Sequence, residues 1–242
     1  MKIYYIKYET IIRFFILLLI LLIIGVSILL FKTLYGNSRE TFNNNNDIFY
    51  KGNINEKVIA FACNVDWGNE YIKPMLNIFN TYNVKISFFV TGRWAKNNNE
   101  LLRAIYLNGH EIGNHGYLHK DYSKLNYESN RKQILEAEKI IYKATGVKPK
   151  YFAPPSGAYN KHTIRAAKDL NYKIIMWSID TIDWRDDSTK EKIVKRVVSK
   201  SHNSAIVLMH PKKETIKALP IIIESLKRKG YKIGRVSDVI KN

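Results

Sequence analysis

Cysteine is almost absent from this chain, and acidic residues are scarce. Its only cysteine is Cys63, so no internal disulfide is available, and its place in an apolar run marks it as core filling. Asp and Glu number 21 against 39 Lys and Arg, which leaves a formal charge of +18 at pH 7. The basic residues are spread over helix-like segments and form no single run. That pattern fits a solvated basic face, or attraction to an anionic surface such as phospholipid, wall polymer or nucleic acid. No nucleic-acid motif is present and the N-terminus argues for export, so no nucleic-acid partner is expected. There is no glycine-rich dinucleotide fingerprint and no internal repeat.

One long hydrophobic run is present. Residues 14–31 are apolar except for Gly25 and Ser27, and at about 1.5 Å per residue this stretch of 18 reaches roughly 27 Å, near a bilayer's hydrocarbon thickness. Lys2, Lys7 and Arg13 precede it, which favours a cytoplasmic N-terminus. A cleaved signal peptide is the competing reading, but it usually has a shorter apolar region and a small-x-small cleavage site. The expectation is a single-pass cell-membrane anchor over residues 1–35, spanning at 14–31, with the rest of the chain extracytoplasmic. Residues 36–56, with four successive asparagines at 43–46, read as a flexible linker. Residues 57–242 read as one folded domain.

In that domain short apolar runs alternate with segments of helical period. The strand-like runs are Val58–Val65, Ile86–Val90, Glu111–His115, Tyr151–Ala153, Lys173–Ile179, Ala205–His210 and Tyr231–Val236. Helix-like stretches lie near 71–82, 98–108, 127–145, 160–170, 189–200 and 215–229. In the third of these, Ile134, Ala137, Ile141 and Ala144 share one face, as a core-facing helix requires. Repeated βα units imply parallel strands with right-handed crossovers. The expected fold class is therefore α/β: an irregular (β/α) barrel of about seven parallel strands, preceded by one transmembrane helix. Barrels of this kind gather functional groups at the C-terminal ends of their strands.

The chemically capable residues fall at those ends. Asn64, Asp66, Trp67 and Gly68 close the first strand, and His115 and His119 close the third. Ala153-Pro154-Pro155-Ser156-Gly157 follows the fourth, Asp180, Asp183 and Trp184 the fifth, and His210 the sixth. Each has a structural reading by itself: the proline pair as a turn, the aspartates as helix caps, His210 as a buried imidazole. Two imidazoles four positions apart can close on one metal ion if the backbone between them turns back, and Gly113 and Gly116 favour such a loop.

Together these motifs resemble a NodB-type polysaccharide deacetylase, a carbohydrate esterase, over about residues 57–242. Gly109-His110-Glu111-Ile112-Gly113-Asn114-His115 leading to His119 resembles the family's metal-binding motif. Asp180-Thr181-Ile182-Asp183-Trp184 and Leu208-Met209-His210 resemble two further motifs, and Trp67-Gly68 looks closest to the sporulation-associated branch. The resemblance implies a divalent metal, typically zinc, and hydrolysis of N-acetyl groups on peptidoglycan, chitin-like or related glycans. It implies His115, His119 and Asp66 as ligands. It implies His210 as the acid, Asp180 or Asp183 as its support, and Trp184, Pro155 and Leu208 lining the substrate groove. His110 is expected to pack or cap, and His162 and His202 carry no assigned role.

Two positions depart from the family. Its first motif carries adjacent aspartates, one the base and one a metal ligand; here Cys63-Asn64-Val65-Asp66-Trp67-Gly68 holds a single carboxylate. Aligned from the strand start, Asn64 falls on the base; aligned from Gly68, Asp66 does, so Asp66 is either ligand or base. An asparagine amide accepts no proton at neutral pH. Ala153 stands where the family has an arginine. The expected function is a membrane-anchored metal-dependent deacetylase weakened by these replacements, with an inactive glycan-binding homologue as the alternative.

Overall fold

The structure is a computed structural model and describes residues 8–35 and 47–241. The chain divides into two compact units between residues 45 and 46. The first contains helix α1 (Tyr8–Tyr35). The expected membrane span over residues 14–31 is corrected here: among the described residues no helix is long and apolar enough to cross a membrane. Single-pass anchoring, a cytoplasmic N-terminus and an extracytoplasmic domain are accordingly not retained. Residues 36–46 of the expected linker lie outside the described residues.

The second unit begins with β1 (Ile48–Phe49), inside the stretch read as linker, followed by β2 (Val58–Val65), α2 (Asn69–Thr81), β3 (Ser87–Val90), α3 (Gly92–Asn97), α4 (Asn99–Leu107) and β4 (Glu111–Asn114). Next come α5 (Tyr127–Thr145), β5 (Tyr151–Phe152), α6 (Lys161–Asp169), β6 (Lys173–Ile175), β7 (Ile179–Asp180), α7 (Lys190–Ser199), β8 (Ile206–Met209), α8 (Lys213–Arg228), β9 (Lys232–Gly234) and α9 (Val236–Val239). All strand pairs are parallel, in the order β1-β6-β5-β4-β3-β2-β8-β7, with β9 against the start of β2.

The expected irregular (β/α) barrel is instead an open, curled sheet, because among the described residues the edge strands β1 and β7 do not pair with each other. The apolar run Lys173–Ile179, read as one strand, is two: β6 lies near one edge and β7 at the other. Only residues 176–178 join them. Even fully extended, such a link spans roughly 14 Å, so the two edges must curl toward each other with the chain crossing the gap. Both edge strands are two residues long, which leaves few backbone groups to complete a ring.

Alternation along β2 decides which side chains face the interior. Ile59, Phe61, Cys63 and Val65 join the larger core, with Ile72, Met75 and Phe79 of α2 and Leu219, Ile222 and Ile223 of α8. Ala60 and Ala62 join a smaller cluster inside the curl with Phe89, Val236 and Val239. Asn64 continues that inward face at the strand's C-terminal end. On α5, Ile134, Ala137, Ile141 and Ala144 are all buried, as their spacing requires.

Candidate active site

A cavity of about 380 Å³ opens at the C-terminal ends of the strands, lined by Asn64, Asp66, Trp67, His115, His119, Ser156, Trp177, Asp180, Trp184, Leu208 and His210. Its size suits a sugar-sized ligand. The motif residues separated by more than a hundred positions in the chain thus share one cleft.

His115 follows β4 and is buried. Its Nδ1 lies 2.7 Å from the carbonyl oxygen of Ala153. A carbonyl only accepts, so Nδ1 carries the proton and Nε2 presents its lone pair. Burial, with the nearby His119, lowers the His115 pKa to about 3, which keeps the ring a neutral donor. The Asn114 side chain shapes the loop: its Oδ1 accepts from Gly116 N at 2.8 Å, and its Nδ2 donates to Ile134 O at 2.9 Å. Gly116 adopts φ +72°, and a Cβ there would strike the Tyr122 hydroxyl. The chain then turns so that the rings of His115 and His119 stand 5.1 Å apart, edge to face. His119, Ser156 and Ile182 all have φ between 53° and 55°, a left-handed backbone that costs a non-glycine residue about 1–3 kcal/mol. His119 and Ser156 line the cavity, and Ile182 lies two residues after Asp180, which lines it too.

His210 is held from behind. Its Nδ1 and its backbone N donate to the two oxygens of Asp183, each at 2.7 Å, and Thr215 Oγ1 donates to Asp183 Oδ2 at 2.7 Å. Asp183 is buried, and this array leaves Nε2 of His210 as the ring nitrogen available to a ligand. Trp67 stacks on His210, centroids 5.7 Å apart and planes 14° from parallel. Gly68, at φ +83°, permits this: a Cβ there would meet the Pro211 carbonyl, so the loop after β2 approaches the loop after β8 closely. Of the two candidate supports, Asp183 touches His210. Asp180 instead accepts from Ile182 N at 2.7 Å, bracing its own turn while lining the cavity.

The first-motif residues behave differently. Asn64 is 6% exposed, and its Oδ1 is buried without a hydrogen-bond partner among the described residues. Asp66 faces the cavity, but Thr91 Oγ1 donates to its Oδ1 at 2.6 Å and Arg93 Nη2 to its Oδ2 at 2.7 Å. The two histidines fit a metal: they are close, and His115 has its donor tautomer set. A full site does not form, since no group of three or more His, Cys, Asp or Glu that could hold an ion occurs among the described residues.

Trp184 and Leu208 line the cavity; Pro155 is buried and does not, whereas its neighbour Ser156 does. His110 packs: Ile86 N donates to its Nδ1 at 3.1 Å, and it sits against Phe79 and Phe88. Trp177, Thr91, Arg93 and Thr215 were not anticipated. Trp177 was hidden in an apolar run whose break the pattern does not show. Thr215 lies five residues past His210, where a helix face and not the motif sets its direction.

The sequence pattern of the family described as Polysaccharide deacetylase matches residues 51–175. Uncharacterized protein YlxY of Bacillus subtilis (strain 168) is 43% identical over 191 residues, covering 79% of this chain and 60% of its own length. The chain thus spans less than two thirds of that relative. A peptidoglycan-N-acetylglucosamine deacetylase of Bacillus cereus is 31% identical, covering 77% of this chain and 90% of its own. Among solved structures, BA3943 of Bacillus anthracis, described as a CE4 family pseudoenzyme, superposes with a TM-score of 0.77 at 38% identity, covering 79% of this chain and 68% of its own. A variant of BA3943 with restored enzymatic activity superposes with the same score at 36% identity, covering 79% and 70%.

Proposed function

Because the chain belongs to the polysaccharide deacetylase family, we propose that its domain holds an N-acetylated glycan in the strand-end cavity and hydrolyses the acetamide C–N bond only weakly. One observation carries this reading. The inward position at the end of β2, which alignment from the strand start puts at the family's base, holds Asn64 with its amide oxygen buried and, among the described residues, unpartnered. A positioned base is worth about 10²–10⁴-fold in rate, and an amide supplies none of it.

The remaining parts are unevenly kept. His210, oriented by Asp183 and Thr215, is fit to protonate a leaving amine from Nε2. Trp67 and Trp184 offer faces for a sugar ring. Ala153 cannot orient a base as an arginine would, though its carbonyl fixes the tautomer of His115. The family uses a divalent metal, which polarises the acetamide carbonyl and activates water when bound. His115 and His119 would hold it here, zinc being the proposed ion. Asp66 is the proposed third donor once freed from Arg93 and Thr91. The likeness to a pseudoenzyme, and to its reactivated variant, supports a weakened centre.

The test is acetate release from N-acetylglucosamine oligomers and peptidoglycan, with and without zinc, by the full chain and by Asn64→Asp combined with Ala153→Arg. The double variant is expected to gain about 10²–10⁴-fold. A wild-type rate equal to that of the double variant would show that no base is missing. The paired departure at Asn64 and Ala153 also favours a second reading, glycan binding without turnover. Under it, the full chain retains glycan affinity in His115→Ala and the wild type releases no acetate under any condition.

A further inference from the structure

The rim of the cavity carries a cation that the reading above does not use. Lys212 lies just past β8, and its Nζ donates to the carbonyl oxygen of Trp184 at 3.0 Å and sits 5.3 Å from the centre of the Trp67 ring. Both tryptophans line the cavity, and they are 52% and 40% exposed. Lys212 enters none of the ion pairs found among the described residues, whereas Arg93, the other cation bonded to a cavity residue, is paired with Asp66. An ammonium has three N–H donors, and the Trp184 carbonyl takes one.

We propose that Lys212 is a specificity-determining residue, selecting an amino sugar that bears a carboxylate over a neutral N-acetylated sugar. This rests on the glycan reading of the cavity. On that reading, a sugar seated against Trp67 and Trp184 with its acetamide toward the histidines would leave its outer substituents at the rim. Lys212 stands beside these tryptophans and is not among the residues lining the cavity. Its ammonium therefore reaches a substituent projecting from the ring, not the reacting group. A hydroxyl there gains a neutral hydrogen bond; a carboxylate gains a charge-assisted bond about twice as strong. The chain's formal charge of +18 draws an anionic chain toward the protein and repels none of its carboxylates.

The experiment titrates the full chain calorimetrically with two saccharides of equal length. One is the neutral N-acetylglucosamine tetramer; the other alternates N-acetylglucosamine with N-acetylmuramic acid, whose lactyl group carries a carboxylate. The acidic saccharide is expected to bind about two- to five-fold more tightly, the range for a partly exposed charge pair, and the ratio is expected to shrink as salt is raised. Lys212→Met is expected to bring the ratio to parity, Lys212→Arg to keep it, and Lys195→Met, on the exposed face of α7, to keep it as well. Equal affinities in the wild type, or a preference that persists in Lys212→Met, overturn the assignment and leave the glycan reading standing. Binding of neither saccharide overturns both.

Discussion

Asp183→Asn tests the array behind His210 most directly. Three donors converge on the Asp183 carboxylate: His210 Nδ1, His210 N and Thr215 Oγ1, each at 2.7 Å. The side chain is fully buried, so water cannot replace what is lost. An asparagine keeps one acceptor oxygen and substitutes an NH₂ for the other. The NH₂ then faces either the His210 ring N–H, or the His210 backbone N–H and the Thr215 hydroxyl. If the NH₂ faces the ring, a change of imidazole tautomer lets it donate to Nδ1, so the three contacts survive as neutral bonds, but Nε2 then carries the proton. A hydrogen bond to a charged group contributes about 1.5–3 kcal/mol and a neutral one about 0.5–1.5 kcal/mol, so making all three neutral costs about 1 kcal/mol each, about 3 kcal/mol in all. For a domain of this size each kcal/mol moves Tm by about 2–4 °C, which places the fall at about 6 °C or more. Since a domain's entire stability is about 5–15 kcal/mol, Thr215→Val is the gentler companion, removing one donor for about 1.5–3 kcal/mol. Urea unfolding of the full chain, followed by tryptophan fluorescence, measures both. An Asp183→Asn loss below about 1 kcal/mol, or a Thr215→Val loss equal to it, would refute a load shared by three bonds.

Two further outcomes follow from the geometry. Arg93→Met removes the guanidinium from Asp66; the Arg93 side chain is 51% exposed, so stability changes by less than about 1 kcal/mol, while zinc affinity measured by calorimetry rises as the freed carboxylate joins His115 and His119. Unchanged affinity would remove Asp66 from consideration as a ligand. His110 is buried and neutral, its pKa lowered from 6.5 to about 4 chiefly by burial and then by Lys85. The unfolded chain binds the proton first, so its stabilising contribution is complete above about pH 6.5 and is lost as pH falls from there toward about 4, by an amount on the order of 3 kcal/mol. His110→Leu is expected to flatten that part of the stability–pH curve; an unaltered slope would show that another group causes it.

The strand ends were legible because parallel βα units leave a local trace: a short apolar run, then a turn, then helical spacing. Val58–Val65 appears in the structure with the bounds read from the sequence, and the buried face of α5 was visible in four residues. Edge strands leave no such trace. β1 is held by backbone bonds to β6 through only two residues, and no periodicity fits in a pair. The break at 176–178 was equally silent, since apolar residues serve on either side of it. Residues 14–31 carry a strong hydropathy signal, yet the described residues contain no helix long and apolar enough to cross a membrane.

Residue identity alone determined what the site lacks: an amide at 64 accepts no proton and an alanine at 153 carries no charge, whatever the fold does with them. Tertiary structure alone decided how the groups that are present divide their work. Asp180 and Asp183 are equivalent by type and nearly adjacent in the chain, but one points at His210 and the other at its own turn. Asp66 was a ligand or a base on paper, and in the fold Arg93 and Thr91 occupy its oxygens. The reason is physical: ionisability belongs to the side chain, whereas a carboxylate's partner is set by which elements the sheet brings alongside it.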